Sequence, residues 1–137
     1  MVLPAFGAAG TYLSAGSFGT SAAVPVPSGV AAGHVILVDL YVETSNAVTP
    51  PSGFTEIPTA ASTMPSGQVH RQLWKRATGA DAGTYTFTWI GSTHYDAVAV
   101  RYTGVVATGT PNDSGGGAPA SASRRSSSST TPAVSLT

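Results

Sequence analysis

The longest regular alternation of apolar and polar positions runs over residues 34–44, HVILVDLYVET. Its even positions, Ile36, Val38, Leu40 and Val42, are apolar β-formers; its odd positions start apolar at Val35 and Leu37 and turn polar at Asp39 and Glu43. A period of two of this kind predicts a strand with one face in the core and one end covered on both faces. Three more β-type runs follow. Residues 69–77, VHRQLWKRA, form one. In residues 84–90, TYTFTWI, Tyr85, Phe87 and Trp89 alternate strictly with Thr84, Thr86 and Thr88, as a core face does. In residues 95–103, YDAVAVRYT, Val98, Val100 and Tyr102 share one face, expected to be the core face, with Ala97, Ala99 and Arg101 opposite.

Helix finds no place: the 16 glycines and 10 prolines interrupt every window before an i, i+3, i+4 apolar stripe can cover three turns. Short β-type runs between turn residues predict an all-β chain with little or no helix, an antiparallel β-sandwich of jelly-roll-like form. The connectors agree. VPVPSGVAAG, 24–33, suits an edge strand or its approach, because proline cannot donate to a central ladder. TPPSGFTEI, 49–57, reads as a rigid turn that swings Phe54 inward to cap the core, and TGADAGT, 78–84, as a second turn. From Gly109 the chain becomes low in complexity and rich in Gly, Ser and Thr, then ends in PAVSLT. The expected organisation is therefore a β-sandwich domain over 1–108 with an extended N-terminal segment, and a flexible arm over 109–137. The end of that arm reads either as a frayed tail or as a strand completing a sheet in this subunit or a neighbour. Residues 15–23, AGSFGTSAA, and 109–131 read as arms that order on docking.

Charge narrows the partners. Only 9% of residues are charged and the net charge is zero, so no basic stripe exists to follow phosphates, and nucleic acid is not an expected partner. Without cysteine there is no disulfide and no thiolate chemistry. No apolar run reaches the ~18 residues of a membrane span, so no membrane partner is expected. Residues 1–4, MVLP, lack the basic start of a signal peptide. Synthesis and folding in a cytoplasm are expected.

Reactive constellations are weak. His34, His70 and His94 show neither H-x-H nor i, i+4 spacing, so no metal or other cofactor is expected. Asp39 and Glu43 share a strand face, but their Cα atoms stand ~13 Å apart at ~3.3 Å per residue, and a solvated face explains them better than an acid–base pair. AGSFG lacks the spacing of a nucleophile elbow, and SGGGAP lacks the lysine of a phosphate loop. No catalytic residue is assigned and no enzyme is expected. The aromatics carry more weight: Tyr85, Phe87 and Trp89 as core, and Trp74, with Lys75, Arg76 and Tyr95, as a contact surface for a protein partner or a glycan.

The ordered series VPSGVAAGHVILVDLYVET, TPPSGFTEI, LWKRATGADAGTYTFTW and AVAVRYTGV, spanning about Val24 to Val105, resembles a β-sandwich structural domain of tailed phages of actinobacteria. Two positions depart from that pattern: His34 stands where the family usually has Asp, and Phe54 where it often has Trp. The family domain also commonly continues with further strands after the Ser/Thr-rich segment. The resemblance implies a virion protein, made in the bacterial host cytoplasm, that docks on capsid or tail proteins as a homo-oligomer. The shortness of the chain and its lack of a fibre or coiled-coil segment favour a capsid decoration protein, with a minor tail or adsorption protein as one alternative; the aromatics around Trp74 offer another, a carbohydrate-binding module directed at a host-surface glycan. The resemblance implies no catalytic residues.

Overall fold

The computed structural model describes residues 3–44, 46–57, 62–63 and 69–107, with only the backbone of residues 15, 62 and 63. Every strand lies in the first of the chain's two units, Met1–Val105. The expected arm over 109–137 and its PAVSLT end lie outside the described residues. Among those described there is no helix. Seven strands build one antiparallel sheet: β1 (Ala5–Ala9), β2 (Leu13–Pro25), β3 (Val35–Val42), β4 (Thr55–Glu56), β5 (Ser62–Thr63), β6 (Val69–Arg76) and β7 (Thr84–Thr103). The sheet runs β1-β7-β3-β6-β4, with β2 also on β7 and β5 also on β6.

Two strand assignments differ from the expectation. Residues 84–90 and 95–103 are not separate strands but the two ends of β7, which is 20 residues long. Residues 15–23 are not an arm: they lie in β2, paired from Ser17 to Tyr95 through to Pro25 and Thr84. Together β1 and β2 run antiparallel along nearly the whole of β7, beginning with Ala5 opposite Thr103. A Gly/Ala/Ser-rich run has low intrinsic strand preference, so it is the ladder to β7 that holds it extended.

That long ladder bends. Between Gly19/Ser21 on β2 and Thr93/Thr88 on β7 the register shifts, and Gly91 sits there with φ +88°. Extra residues on one strand sharpen twist and curvature, and glycine reaches positive φ without a steric penalty. The Trp89 indole N–H donates to the Gly19 carbonyl at 3.1 Å across the bend. On a straight strand Gly10 and Pro25 would stand ~50 Å apart at ~3.3 Å per residue. Instead a Cβ at Gly10 would lie 2.5 Å from the Pro25 carbonyl oxygen. The sheet thus folds over itself, and its two limbs enclose one core.

One limb gives that core Ala22 and Val24 of β2 with Tyr85, Phe87 and Trp89 of β7. The other gives Ile36, Val38, Leu40 and Val42 of β3, Leu73 of β6, and Ala97 and Ala99 of β7. Here the face expected on β7 reverses: Ala97 and Ala99 are 1% and 0% exposed, while Val98, Val100 and Tyr102 are half-buried on the opposite side. The reason is steric. In register, Ala99 lies opposite Val38 and Ala97 opposite Leu40, and the methyl side chains leave room for the large rings from the other limb. Phe54, delivered by the turn through Gly53 (φ +91°), is buried edge-on against Tyr85 at 4.9 Å and Phe87 at 5.1 Å.

Candidate functional site

The sheet face that points away from the core carries the side chains capable of recognition. Register places Trp74 beside Leu37, and Leu37 beside Val100. The next row holds Gln72, Asp39 and Val98, and the one after it His70, Tyr41 and Asp96. Polar groups in these rows are tied to one another. Asp39 Oδ1 accepts from Gln72 Nε2 and meets His70 Nε2, both at 2.8 Å. The Tyr41 ring stacks on His70 with centroids 4.4 Å apart. An aromatic and amide surface of this kind can offer ring faces and hydrogen bonds to a planar or sugar-like ligand.

Alternation separates the four expected contact residues. Trp74 and Arg76 lie on the outer face, both half-buried. Lys75, one residue between them, turns inward: its Nζ donates to Asp81 Oδ1 at 2.6 Å and sits 5.8 and 5.5 Å from the Phe54 and Tyr85 ring centroids. Tyr95 also turns inward, packing against the core and meeting Trp89 edge-on at 5.3 Å. Lys75 and Tyr95 therefore cannot share a contact surface with Trp74.

The inward pair has its own electrostatics. The Asp81 side chain is 3% exposed. Burial acts to raise its pKa, but donation from Lys75, the Thr78 N–H and the Tyr85 hydroxyl outweighs it and holds the carboxyl below its ordinary range. Burial, reinforced by the negative charge of Asp81, pushes the Tyr85 phenol well above its usual value. This cluster secures the turn between β6 and β7.

The three histidines do not converge. His34 Nδ1 accepts from the Ala31 N–H, His70 is engaged by Asp39, and His94 lies against Phe18. Among the described residues no group of three His, Asp or Glu side chains is placed to hold a metal.

A second surface was not visible in the sequence. Along the edge formed by β1 and β2, Phe6, Tyr12 and Phe18 are 63%, 54% and 60% exposed. They stand on the outer face beside the even residues of β7. Phe6 packs edge-on to Tyr102, Phe18 packs edge-on to His94, and the Tyr12 hydroxyl donates to Asp96 Oδ2 at 2.7 Å. That bond to a carboxylate raises the Tyr12 pKa. Leu3, just before β1, is also exposed. The only signal available beforehand was negative: no Asp, Glu, Lys or Arg precedes Asp39.

No family model, no curated protein and no solved structure matches the chain.

Proposed function

We propose that this chain is a non-enzymatic structural protein of a tailed-phage particle, seated on the capsid shell as a decoration protein. One observation carries the reading: an uncharged sheet edge that holds Phe6, Tyr12 and Phe18 out to solvent. Isolated exposed apolar residues are common on proteins, whereas an aligned row of aromatics marks a docking surface. The resemblance of residues 24–105 to a phage structural domain supplies the partner class. A sequence without fibre repeat or coiled-coil heptads favours the head over a minor tail or adsorption role. The decisive measurement is protein composition of purified particles. Many copies per particle are expected, and absence from them removes the proposal.

A second reading, glycan binding, draws on the outer face. Trp74 shares that face with Gln72, Asp39, His70 and Tyr41, a combination of ring and hydrogen-bonding groups suited to a sugar. Loss of glycan binding in Trp74→Ala, with folding retained, supports it. Silence of the native protein across a broad glycan array counts against it.

A further inference from the structure

We infer that the aromatic strip on β1 and β2 is an isologous interface, covered in solution by the same strip of a second copy of this chain. The inference rests on the reading of this edge as a docking surface and names its occupant: the strip joins copies of the chain, and the resulting dimer meets the shell through another surface.

The first argument is charge. The strip comes from a segment with no Asp, Glu, Lys or Arg before Asp39. Natural sheets guard exposed edges with charged side chains or proline. Between Pro4 and Pro25 this edge has neither. Among the described residues both strands pair only with β7, so their outer side has no partner strand. A neutral strip meets its own copy without like-charge repulsion. Its nearest charged neighbour on that face, Asp96, is already bonded to Tyr12.

Geometry selects the mode of association. The opposite edge of the sheet is built from the two-residue β4 and β5, and Glu56 there is paired with Arg71 at 2.9 Å. Head-to-tail contact would set that charged edge against an apolar one and would leave the chain of contacts open. A strip facing itself across a two-fold axis buries apolar surface on both sides and closes after two copies.

Size agrees. Phe6 lies opposite Tyr102 and Phe18 opposite His94, which spans ~26 Å along β7 at ~3.3 Å per residue. A stable interface buries about 800 Å² per partner, a patch about 28 Å across. The register shifts between Phe6/Ala8 and between Leu13/Ser17 interrupt a straight ladder, so side chains, more than a continued β-ladder, make the contact.

Light scattering on the isolated chain should give twice the 13.7 kDa monomer mass, with Phe6→Ser/Phe18→Ser returning it to one. Ile90→Ser, altering an exposed residue on the bend outside the strip, should remain dimeric, and circular dichroism should report native strand content for both variants. Because the chain has no cysteine, Tyr12→Cys places a single thiol at the middle of the strip, near its own copy in either orientation across a two-fold axis, and a short bifunctional thiol crosslinker should trap a covalent dimer in high yield. A monomer at the highest soluble concentration overturns the inference, as does a dimer that survives the double substitution. A monomer that is nevertheless abundant in particles overturns the self-association alone. A strip-dependent dimer absent from particles overturns only the phage reading.

Discussion

Lys75 Nζ reaches Asp81 Oδ1 at 2.6 Å on the inner side of β6, with its charge near the Phe54 and Tyr85 rings. Asp81 also accepts from the Thr78 N–H at 2.9 Å and the Tyr85 hydroxyl at 3.2 Å. One carboxylate thus fastens the β6–β7 turn to the strand before it and the strand after it. Neutralising it leaves a largely buried ammonium without its counter-charge, so Asp81→Asn should lower stability by about 3 kcal/mol. Urea denaturation measures this directly, and Lys75→Met, which leaves the still more buried Asp81 carboxylate without its counter-charge, should lower stability comparably.

The same group sets the acid limb of stability. Since the folded carboxyl lies below its ordinary value, its contribution is complete above the unfolded pKa of about 3.9 and disappears as pH falls through the lower folded value. At the alkaline end the raised Tyr85 phenol acts oppositely: its contribution is complete below about pH 10 and declines as pH rises toward the folded value. Urea midpoints across pH should therefore show a shallower acid decline in Asp81→Asn and a shallower alkaline decline in Tyr85→Phe than in the native chain.

Ala99 and Val98 offer a reciprocal test of which face of β7 is inside. Ala99 has no exposure, so Ala99→Leu forces new methylenes between packed limbs and should destabilise by about 1–3 kcal/mol. Val98 is half-buried on the outer face, and Val98→Ala should lower stability by about 1 kcal/mol or less. Thermal melts of the two variants should rank in that order.

Those residues also mark how far the sequence could be read. Where large residues alternate with threonine, as at Tyr85, Phe87 and Trp89, the buried side was evident, because no other face of that run could fill a core. In residues 95–103 both faces are apolar, and size misleads: the valines look like core and the alanines like filler. Which side turns inward depends on rings arriving from residues 54 and 85–89, information absent from the local pattern. Trp74 and Lys75 were separable in principle, since neighbours on a strand point to opposite faces. Grouping them by sequence proximity overlooked that rule. The β2 segment was obscured for another reason: its order comes from hydrogen bonds to a strand some 70 residues later, not from its own side chains.

Gly91, at the bend, should be sensitive through its backbone alone. Its φ is +88° and an added Cβ would meet nothing within 4 Å, so Gly91→Ala carries conformational strain without a clash. A loss of about 1–2 kcal/mol is expected, with Gly91→Asn milder because asparagine tolerates positive φ better. Differential scanning calorimetry would separate the two.

The pairing of β1 and β2 with β7 also determines when this protein can finish folding. Ala5 meets Thr103 and Pro25 meets Thr84, so on a ribosome the opening strands wait until almost the whole described domain has been made. Closing loops of that length before any reward in contacts makes folding slow, in the range of about milliseconds to seconds. Throughout that interval the waiting segment is free of charge and carries five large apolar side chains, Leu3, Phe6, Tyr12, Leu13 and Phe18. The nascent chain therefore passes through its most adhesive state before β7 has been made, and its yield in the cell should depend on chaperone capacity and synthesis rate more than on the stability of the finished fold.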